Sequence, residues 1–519
     1  MKNDNQKRSA TDTMQNAMAM HQQGRRKNAD RLYAEVLELE PRHARALRLR
    51  GILAREMDNL TASIELLQKA VAAAPEDPEP LCELALSQMI VGEFDLAENT
   101  FRQALVCNPD SLKALTNLGA LLQYCGHDKQ AIDLHRRALE LDSDDIEVRC
   151  NLAKCLMEVG RADAAIVECD SAIALSDGHP MTLATKGVVF CDMGEFEKAK
   201  DSLSEAISKN PEDDMVWVNL GFAIAELGQP EAAVDALRRA LEINPQNARA
   251  AADSSYLLTK MNRSNEAVAL SDKFLQRHPG ETPVLAAYAF ALRNAGQDAD
   301  SDSLLDFDKL IRSSDLKIPL SYDSLAVFNN ELADIIENNS SLTENPFSKS
   351  TLGGAQTGEL DLNSHQALST LRHSINDAVA DAMRDYRESG LTDHPIMTRA
   401  TESWTLRLWG TVIYEHGYQA SHIHPMSWLS GVYYVRLPSD MSRLGSQDGW
   451  IEFGAPPERL VGPYESEIHR LEPREGRLIL FPAWFHHRTS PFSADGLRIS
   501  IAFDVMPKAG IRYFQKFAN

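Results

Sequence analysis

Cysteine is absent after residue 191, and tryptophan is nearly absent before residue 404. An odd number of cysteines on helix-like segments excludes a disulfide framework and indicates reduced thiols, and Cys150 and Cys155 lack the spacing of a zinc or redox pair. Five of the six tryptophans lie between residues 404 and 484. This opposite distribution predicts two different architectures in one chain. The seven cysteines are Cys82, Cys107, Cys125, Cys150, Cys155, Cys169 and Cys191.

The chain also lacks any long basic run and any long apolar run. Its 53 basic and 75 acidic side chains give a net charge of −22, so we expect no nucleic-acid binding and no attraction to an anionic membrane. No segment approaches the ~18 apolar residues of a membrane span, and the polar N-terminus leads into no apolar signal core. With the reduced thiols, these features predict a cytoplasmic protein. The sequence leaves the oligomeric state open.

A period of 34 residues runs through about residues 10–281. Prolines and small residues recur at this interval, between amphipathic segments with apolar residues at helical spacing. Small residues allow the two helices of a hairpin to approach closely, and a proline starts the next unit where no helical N–H is needed. The four columns are Pro41, Pro75, Pro109, Pro211, Pro245 and Pro279; Gly51, Ala85, Gly119, Ala153, Gly187, Gly221, Ser255 and Ala289; Ala97, Ala131, Ala165, Ala199, Ala233 and Ala267; and Ala70, Ala104, Ala138, Ala172, Ala206 and Ala240.

These columns resemble the tetratricopeptide repeat. The resemblance implies about eight repeats and a degenerate ninth pair, ending near Ile311, that caps the stack. We therefore predict a polar tail (residues 1–9) followed by an all-α solenoid (residues 10–315). Such arrays expose a concave groove, and we expect a protein or peptide partner to bind there. The alternative is a scaffold that only holds the next domain or a second subunit.

Residues 316–519 have a different pattern, which predicts a β domain. We expect a long loop at residues 338–362 and one amphipathic helix at residues 364–388, capped by Asn363. Short segments rich in β-branched and aromatic residues then predict strands in a double-stranded β-helix (jelly roll) with flanking helices. The predicted fold class is therefore α + β multidomain. The predicted strands are Thr405–Tyr414, Ser430–Leu437, Trp450–Phe453, Arg477–Phe481 and Leu497–Val505.

Histidines are concentrated in this domain, with six of the fifteen between residues 416 and 487. Two of them form the motif His422-Ile-His424. On a strand, residues two apart point to the same face, so both imidazoles could reach one ion. A further histidine pair ends at His487, and Arg498-Ile-Ser500 follows on the next predicted strand.

The His-x-His-Pro, Leu-Ser-Gly-Val-Tyr-Tyr, Phe-Pro-x-Trp, His and Arg-Ile-Ser-x-x-Phe segments together resemble the 2-oxoglutarate/Fe(II)-dependent oxygenases. The resemblance is to the prolyl-hydroxylase-like superfamily in a His-x-His…His…Arg-x-Ser variant. It is close over about residues 400–507 and weak back to residue 320. It implies Fe(II), 2-oxoglutarate as cosubstrate and dioxygen. It also favours His487 over His486 as the distal ligand.

One departure from the usual motif matters, because His424 stands where these enzymes carry a carboxylate ligand. Direct ligation would give a neutral site of three histidines, His422, His424 and His487, and it is favoured because imidazole suits iron(II). Alternatively, His424 lies beside the metal, and water or another ligand completes the coordination.

The cosubstrate is expected to bind near the Arg-x-Ser motif. The guanidinium of Arg498 can pair bidentately with the distal carboxylate of 2-oxoglutarate, and Ser500 can add a hydroxyl hydrogen bond. We expect Tyr434 to assist, and Arg407 is a weaker competitor for the arginine role.

The residues and the resemblance together predict a dioxygenase that hydroxylates a C–H bond, and two alternatives stay open. Its substrate would be a protein or peptide recruited by the solenoid. One alternative is an adaptor protein with a catalytically silent oxygenase-like domain. The other is a cupin-like metal enzyme that does not use 2-oxoglutarate.

Overall fold

The computed structural model describes residues 9–346, 349–401, 403–439, 441, 447–460 and 467–507. Residues 1–8 of the predicted polar tail and residues 508–519 of the predicted oxygenase domain lie outside this range. The described residues divide into two units. One contains residues 9–124 and 130–143, and the other contains residues 125–129 and 144–507.

Short helices joined by tight turns follow one another from Ser9 to Ile311. Eight pairs of similar length are followed by a ninth pair whose second helix is shorter, and then by a single turn of helix. They are α1 (Ala10–Gln22), α2 (Arg26–Leu39), α3 (Ala44–Glu56), α4 (Leu60–Ala73), α5 (Pro78–Ile90), α6 (Phe94–Cys107), α7 (Leu112–Tyr124), α8 (Asp128–Leu141), α9 (Ile146–Glu158), α10 (Ala162–Leu175), α11 (Pro180–Asp192), α12 (Phe196–Lys209), α13 (Asp214–Glu226), α14 (Pro230–Ile243), α15 (Ala248–Lys260), α16 (Ser264–Leu275), α17 (Thr282–Asn294), α18 (Asp298–Leu304) and α19 (Phe307–Leu310).

The turn inside each helix pair contains one residue with positive φ, and these residues form a further column with the 34-residue interval. Most of them are glycine, which adopts this conformation without steric cost. Asp58 and Asn262 take the other two places, and both residue types tolerate the left-handed region better than most. The column is Gly24, Asp58, Gly92, Gly126, Gly160, Gly194, Gly228, Asn262 and Gly296.

The small-residue column lies where the two helices of a pair meet. A Cβ atom at Gly187 would lie 2.6 Å from Cγ of Leu203, which is closer than a van der Waals contact. In the preceding repeat the equivalent positions hold Ala153 and the smaller Cys169. In these two repeats the smaller residue at one position is therefore opposite the larger residue at the other.

The C-terminal part contains antiparallel strands with three helices beside them. The strands are β1 (Arg312–Asp315), β2 (Thr343–Glu344), β3 (Thr351–Gln356), β4 (Trp404–Gln419), β5 (Leu429–Arg436), β6 (Ile451–Phe453), β7 (His469–Leu471), β8 (Arg477–Pro482), β9 (His487–Thr489) and β10 (Arg498–Pro507). The helices are α20 (Leu325–Glu337), α21 (Gln366–Glu388) and α22 (Pro395–Thr398), with a 3-10 turn at Glu458–Leu460.

The strands form two sheets, one in the order β1-β8-β5-β10-β4-β3-β2 and one in the order β7-β6-β9. The predicted order of a helical solenoid followed by an antiparallel β region is confirmed, whereas the jelly-roll form stays a prediction. No helix in the described part of the chain combines the length and the apolar character needed to cross a membrane.

Two local predictions were wrong. The expected loop at residues 338–362 contains β2 and β3, because β3 pairs with the long strand β4. The helix expected at residues 364–388 is present as α21 (Gln366–Glu388), but the predicted cap at Asn363 is wrong: His365 precedes the helix and makes no capping hydrogen bond with its side chain. Asn363 instead accepts a hydrogen bond from Arg372.

Enlarging Gly187 should destabilise the repeats. Gly187→Ala brings a methyl group against Leu203, and overpacking costs about 1–3 kcal/mol, against about 1 kcal/mol gained in helix propensity. We expect a net loss of about 1 kcal/mol and a lower midpoint of thermal unfolding, measured by circular dichroism. The double variant G187A/L203C reproduces the Ala153 and Cys169 combination. It should lose less than the sum of the two single variants, and additive losses would contradict the size matching.

Candidate metal centre

The candidate site is built around strand β10, which lies between β4 and β5. Ser500 is paired with Thr411 on β4 and with Tyr434 on β5. Residues directly opposite in a sheet point to the same face, and so do residues two apart on one strand. Arg498, Ser500 and Asp504 therefore share a face of the sheet with Thr411 and Tyr434.

The His-x-His motif does not lie on a strand, which corrects the prediction. His422 and His424 are in the segment between β4 and β5, and an isolated β-bridge joins His422 to His487. In this bridge each backbone N–H donates to the carbonyl oxygen of the other residue at 3.0 Å. The backbone N–H of His424 donates to Ala483 O at 3.1 Å. Backbone pairing, rather than strand alternation, brings the three histidines together.

The imidazoles of His422, His424 and His487 form a compact cluster. The ring centroids lie 5.1 Å apart for His422 and His424, 4.2 Å for His422 and His487, and 5.1 Å for His424 and His487. One ring nitrogen from each histidine lies within 4.8 Å of the others. This spacing allows the three nitrogens to share one metal ion.

Hydrogen-bond acceptors fix the tautomer of each ring. Nδ1 of His422 lies 2.8 Å from Ala420 O, and Nδ1 of His487 lies 3.0 Å from Phe485 O. Nδ1 of His424 lies 2.8 Å from Oδ1 of Asp504. Because carbonyl and carboxylate oxygens only accept, Nδ1 donates in all three rings and each Nε2 carries a lone pair.

The donor set fits a cation. Nε2 of His424 and Nε2 of His487 lie 3.3 Å apart. When both rings are neutral, their two lone pairs face each other, an arrangement that a metal ion bound between them would stabilise. Burial and the adjacent His424 lower the pKa of His422 to about 3. Burial, with His422 and His424 beside it, holds the pKa of His487 well below its usual value. Both rings stay neutral at physiological pH, as metal ligation requires.

Asp504 is a site residue that the sequence analysis missed. Burial alone would raise the pKa of its carboxyl group, but the imidazole of His424 and the hydrogen bonds of Ser430 and Ser427 lower that pKa below its usual value. Oγ of Ser430 donates to Oδ1 of Asp504 at 2.7 Å. The strand alternation from Arg498 through Ser500 to Asp504 is the sequence signal that could have identified this carboxylate.

The face that carries Arg498 contains several polar atoms without partners. Arg498 is 1% exposed, and its guanidinium carbon lies 5.3 Å from the ring centroid of Tyr434. Among the described residues, Nε of Arg498 and the buried hydroxyls of Tyr434 and Thr411 have no hydrogen-bond partner. A buried cation beside two unpaired hydroxyls fits an anionic ligand such as a carboxylate. Thr411 was not predicted, and only the β4–β10 register reveals it.

Two residues that were weighed for these roles lie elsewhere. Nε2 of His486 lies 3.1 Å from the hydroxyl of Tyr256 on α15, away from the three clustered imidazoles. Nε of Arg407 donates to Oε2 of Glu359 at 2.8 Å. His486 is therefore not part of the imidazole cluster that contains His487, and Arg407 is paired with a carboxylate, whereas Nε of Arg498 is not.

Family comparisons agree with this division of the chain. Residues 407–504 match the family described as Putative 2OG-Fe(II) oxygenase. Residues 17–78, 126–180 and 191–253 match tetratricopeptide-repeat families. No curated protein matches the chain.

Several solved structures are similar to parts of the chain. A chain of the APC/C hetero-tetramer Cut9–Hcn1 is 19% identical, with a TM-score of 0.40, and the match covers 51% of this chain and 52% of that one. A tetratricopeptide repeat protein from Parabacteroides merdae is 13% identical, with a TM-score of 0.42 and coverage of 48% and 98%. YrrB, described as a TPR protein with an unusual peptide-binding site, is 20% identical, with a TM-score of 0.28 and coverage of 36% and 95%.

This chain therefore spans about half the length of the Cut9–Hcn1 chain that it matches. The family matches, which do not depend on these structures, place repeats and an oxygenase domain in sequence order. The chain thus contains segments that match tetratricopeptide repeats, followed by a C-terminal segment that matches the family described as Putative 2OG-Fe(II) oxygenase.

Proposed function

We propose that this protein is an Fe(II)- and 2-oxoglutarate-dependent dioxygenase that hydroxylates a C–H bond of a protein or peptide. The observation that carries the proposal is the convergence of three Nε2 lone pairs from His422, His424 and His487, with every Nδ1 proton held by an acceptor. In this proposal all three histidines ligate the metal. When bound, iron would activate dioxygen, which is the oxidant; 2-oxoglutarate would supply two of the four electrons that reduce it, leaving as succinate and carbon dioxide, and the substrate C–H bond would supply the other two.

Aromatic rings pack against two of the imidazoles and help to orient them. The indole of Trp409 stacks on His424 with ring centroids 5.6 Å apart, and the ring of Phe481 lies 4.7 Å from that of His487. These rings cover part of the imidazole surface and lower the local dielectric constant there. Asp504 keeps the proton of His424 on Nδ1 and makes the ring a stronger donor.

The cosubstrate would be held by the residues that share a face of β10. The guanidinium of Arg498 would pair with the distal carboxylate of 2-oxoglutarate, and Ser500 and Tyr434 would donate hydroxyl hydrogen bonds to it. The unpaired buried atoms of Arg498 and Tyr434 support this assignment, because a bound carboxylate would satisfy both.

Tetratricopeptide repeats generally mediate protein–protein interactions, and we propose that residues 10–315 recruit the substrate polypeptide for the domain at residues 316–519. The seven cysteines, which all lie in the described part of the chain, form no disulfide, and this supports a reducing, cytoplasmic compartment. The jelly-roll form of the two sheets belongs to the same proposal.

Anaerobic titration tests the proposal directly. Addition of Fe(II) and then 2-oxoglutarate should produce a visible charge-transfer band, and admission of air should release succinate. Iron binding without the band would instead favour a cupin-like metal enzyme. A protein that binds no iron would be the adaptor with a silent domain.

Arg498→Ala should abolish the band at cosubstrate concentrations that saturate the wild type, with iron affinity retained. Loss of a buried, bidentate, charge-assisted pair should weaken 2-oxoglutarate binding by about 30-fold or more. Arg436→Ala is the control, because Arg436 pairs with Glu337 instead. If the band shows that Arg498→Ala binds 2-oxoglutarate with the affinity of the wild type, Arg498 is not part of the cosubstrate site.

His424→Ala should weaken metal binding by more than about 100-fold, because even residues behind the ligands commonly contribute 10- to 100-fold. Titration with Co(II), followed by its visible absorption, measures this affinity without turnover. His373→Ala, at an exposed position on α21, is the control. Full metal affinity in His424→Ala would mean that His424 is not a ligand.

Asp504→Asn should weaken Co(II) binding by about 10- to 100-fold, because an amide can donate to Nδ1 and shift the proton of His424 to Nε2. The matched control is Glu452→Gln, which removes a buried carboxylate that pairs with Arg470 and Arg488. Equal Co(II) affinity in the wild type and Asp504→Asn would show that the carboxylate does not support the ligand.

A further inference from the structure

Two segments carry the candidate metal ligands, and helices of the repeat region contact both of them. The first segment runs from His422 to Trp428, and the second runs from Pro482 to His487. Helices α15 and α17 lie in the same compact unit as these segments. The contacts are directional hydrogen bonds to residues next to the ligands, so they bear on how the ligands are held.

The second segment is held by α15. Oη of Tyr256 lies 3.1 Å from Nε2 of His486, and their rings meet edge to face with centroids 5.8 Å apart. Tyr256 is 4% exposed and His486 is 9% exposed, so the bond is shielded from water. Because His486 directly precedes His487, this bond limits where the backbone of His487 can move.

The first segment is held by α17. Oγ1 of Thr282, the first residue of this helix, donates to Ser427 O at 2.8 Å. Arg399 supports the same point, since its guanidinium donates to Oγ1 of Thr282 at 3.2 Å and to Met426 O at 3.3 Å. The backbone N–H of Ser427 in turn donates to the carbonyl oxygen of His424 at 3.1 Å. Thr282 is therefore connected to His424 through Ser427, which forms a backbone turn with His424.

The apolar contacts are continuous across the same boundary. Leu285 and Ala289 of α17 belong to one hydrophobic core with Trp484 and Phe485. The indole Nε1 of Trp484 donates to Leu304 O, at the end of α18, at 3.3 Å. A close-packed core of this kind transmits small displacements instead of absorbing them.

We infer that the last repeats are part of the metal centre, with Tyr256 and Thr282 as positioning residues for His487 and His424. This inference rests on the proposed function. It goes beyond recruitment of a substrate, because the repeats here determine the geometry of the ligands themselves. The side chains act through His486 and Ser427 and touch neither metal nor cosubstrate.

The test uses the full chain with Tyr256→Phe, and Co(II) as the probe. We expect Co(II) affinity to fall by about three- to tenfold, less than for a residue bonded to a ligand, together with a changed visible Co(II) spectrum. The matched control is Tyr33→Phe. It removes another tyrosine–histidine hydrogen bond, the partly buried one between Tyr33 and His21 at 3.2 Å, and should lower thermal stability while leaving Co(II) affinity and spectrum unchanged.

Two further variants keep the inference falsifiable if Tyr256→Phe folds poorly. Thr282→Val should weaken Co(II) binding and Thr282→Ser should restore it. His486→Gln retains a polar group near the position of Nε2 and should bind Co(II) like the wild type, whereas His486→Phe should not.

The outcomes separate the two proposals. If the wild type binds no Co(II), the proposed function fails and the inference fails with it. If the wild type binds Co(II), and Tyr256→Phe and Thr282→Val lose thermal stability but keep the affinity and spectrum of the wild type, the repeats only pack against the domain. In that case the inference alone is overturned.

Discussion

The reciprocal backbone hydrogen bonds between His422 and His487 are the constraint on which the site depends. They fix the two main chains at one point, so the Cα atoms that carry the two imidazoles cannot separate without breaking both bonds. His424 is then brought to the same place by its own backbone bond to Ala483. The hydrogen bonds of each Nδ1 then orient the rings and select their tautomers. A metal ion would meet a site that is organised before it binds, which reduces the conformational entropy lost on binding.

Much of this arrangement could be predicted because it depends on short-range periodicity. The 34-residue interval reveals the helix pairs, and strand alternation places Arg498 and Ser500 on one face. The same alternation also places Asp504 on that face. The bond between Tyr256 and His486 could not be predicted, because 230 residues separate the two positions and no repeating pattern connects them. The prediction that Asn363 caps α21 was wrong because several polar residues precede this helix, and local propensity does not choose among them.

The position of Asp504 offers a physical account of how a histidine can stand where related enzymes carry a carboxylate. A neutral imidazole donates less charge to a metal than a carboxylate does. Here a negative charge remains nearby, one hydrogen bond behind His424 at 2.8 Å. The bond polarises the ring and makes Nε2 a better donor. The hydrogen bond from Ser430 helps to hold that carboxylate in its charged form despite burial.

The contacts of α15 and α17 extend the proposed role of the repeats beyond recruitment of a substrate. A solenoid joined to a domain by a flexible linker could only raise the local concentration of a substrate. In the proposed metal centre, a solenoid whose helices hold His486 and Ser427 would also alter the spacing of the three histidines, because the bonds are short, buried and close to them. Any such coupling is reciprocal by thermodynamic necessity. If a bound polypeptide displaces α15 or α17 and thereby changes the affinity for the metal by some factor, then metal binding must change the affinity for that polypeptide by the same factor.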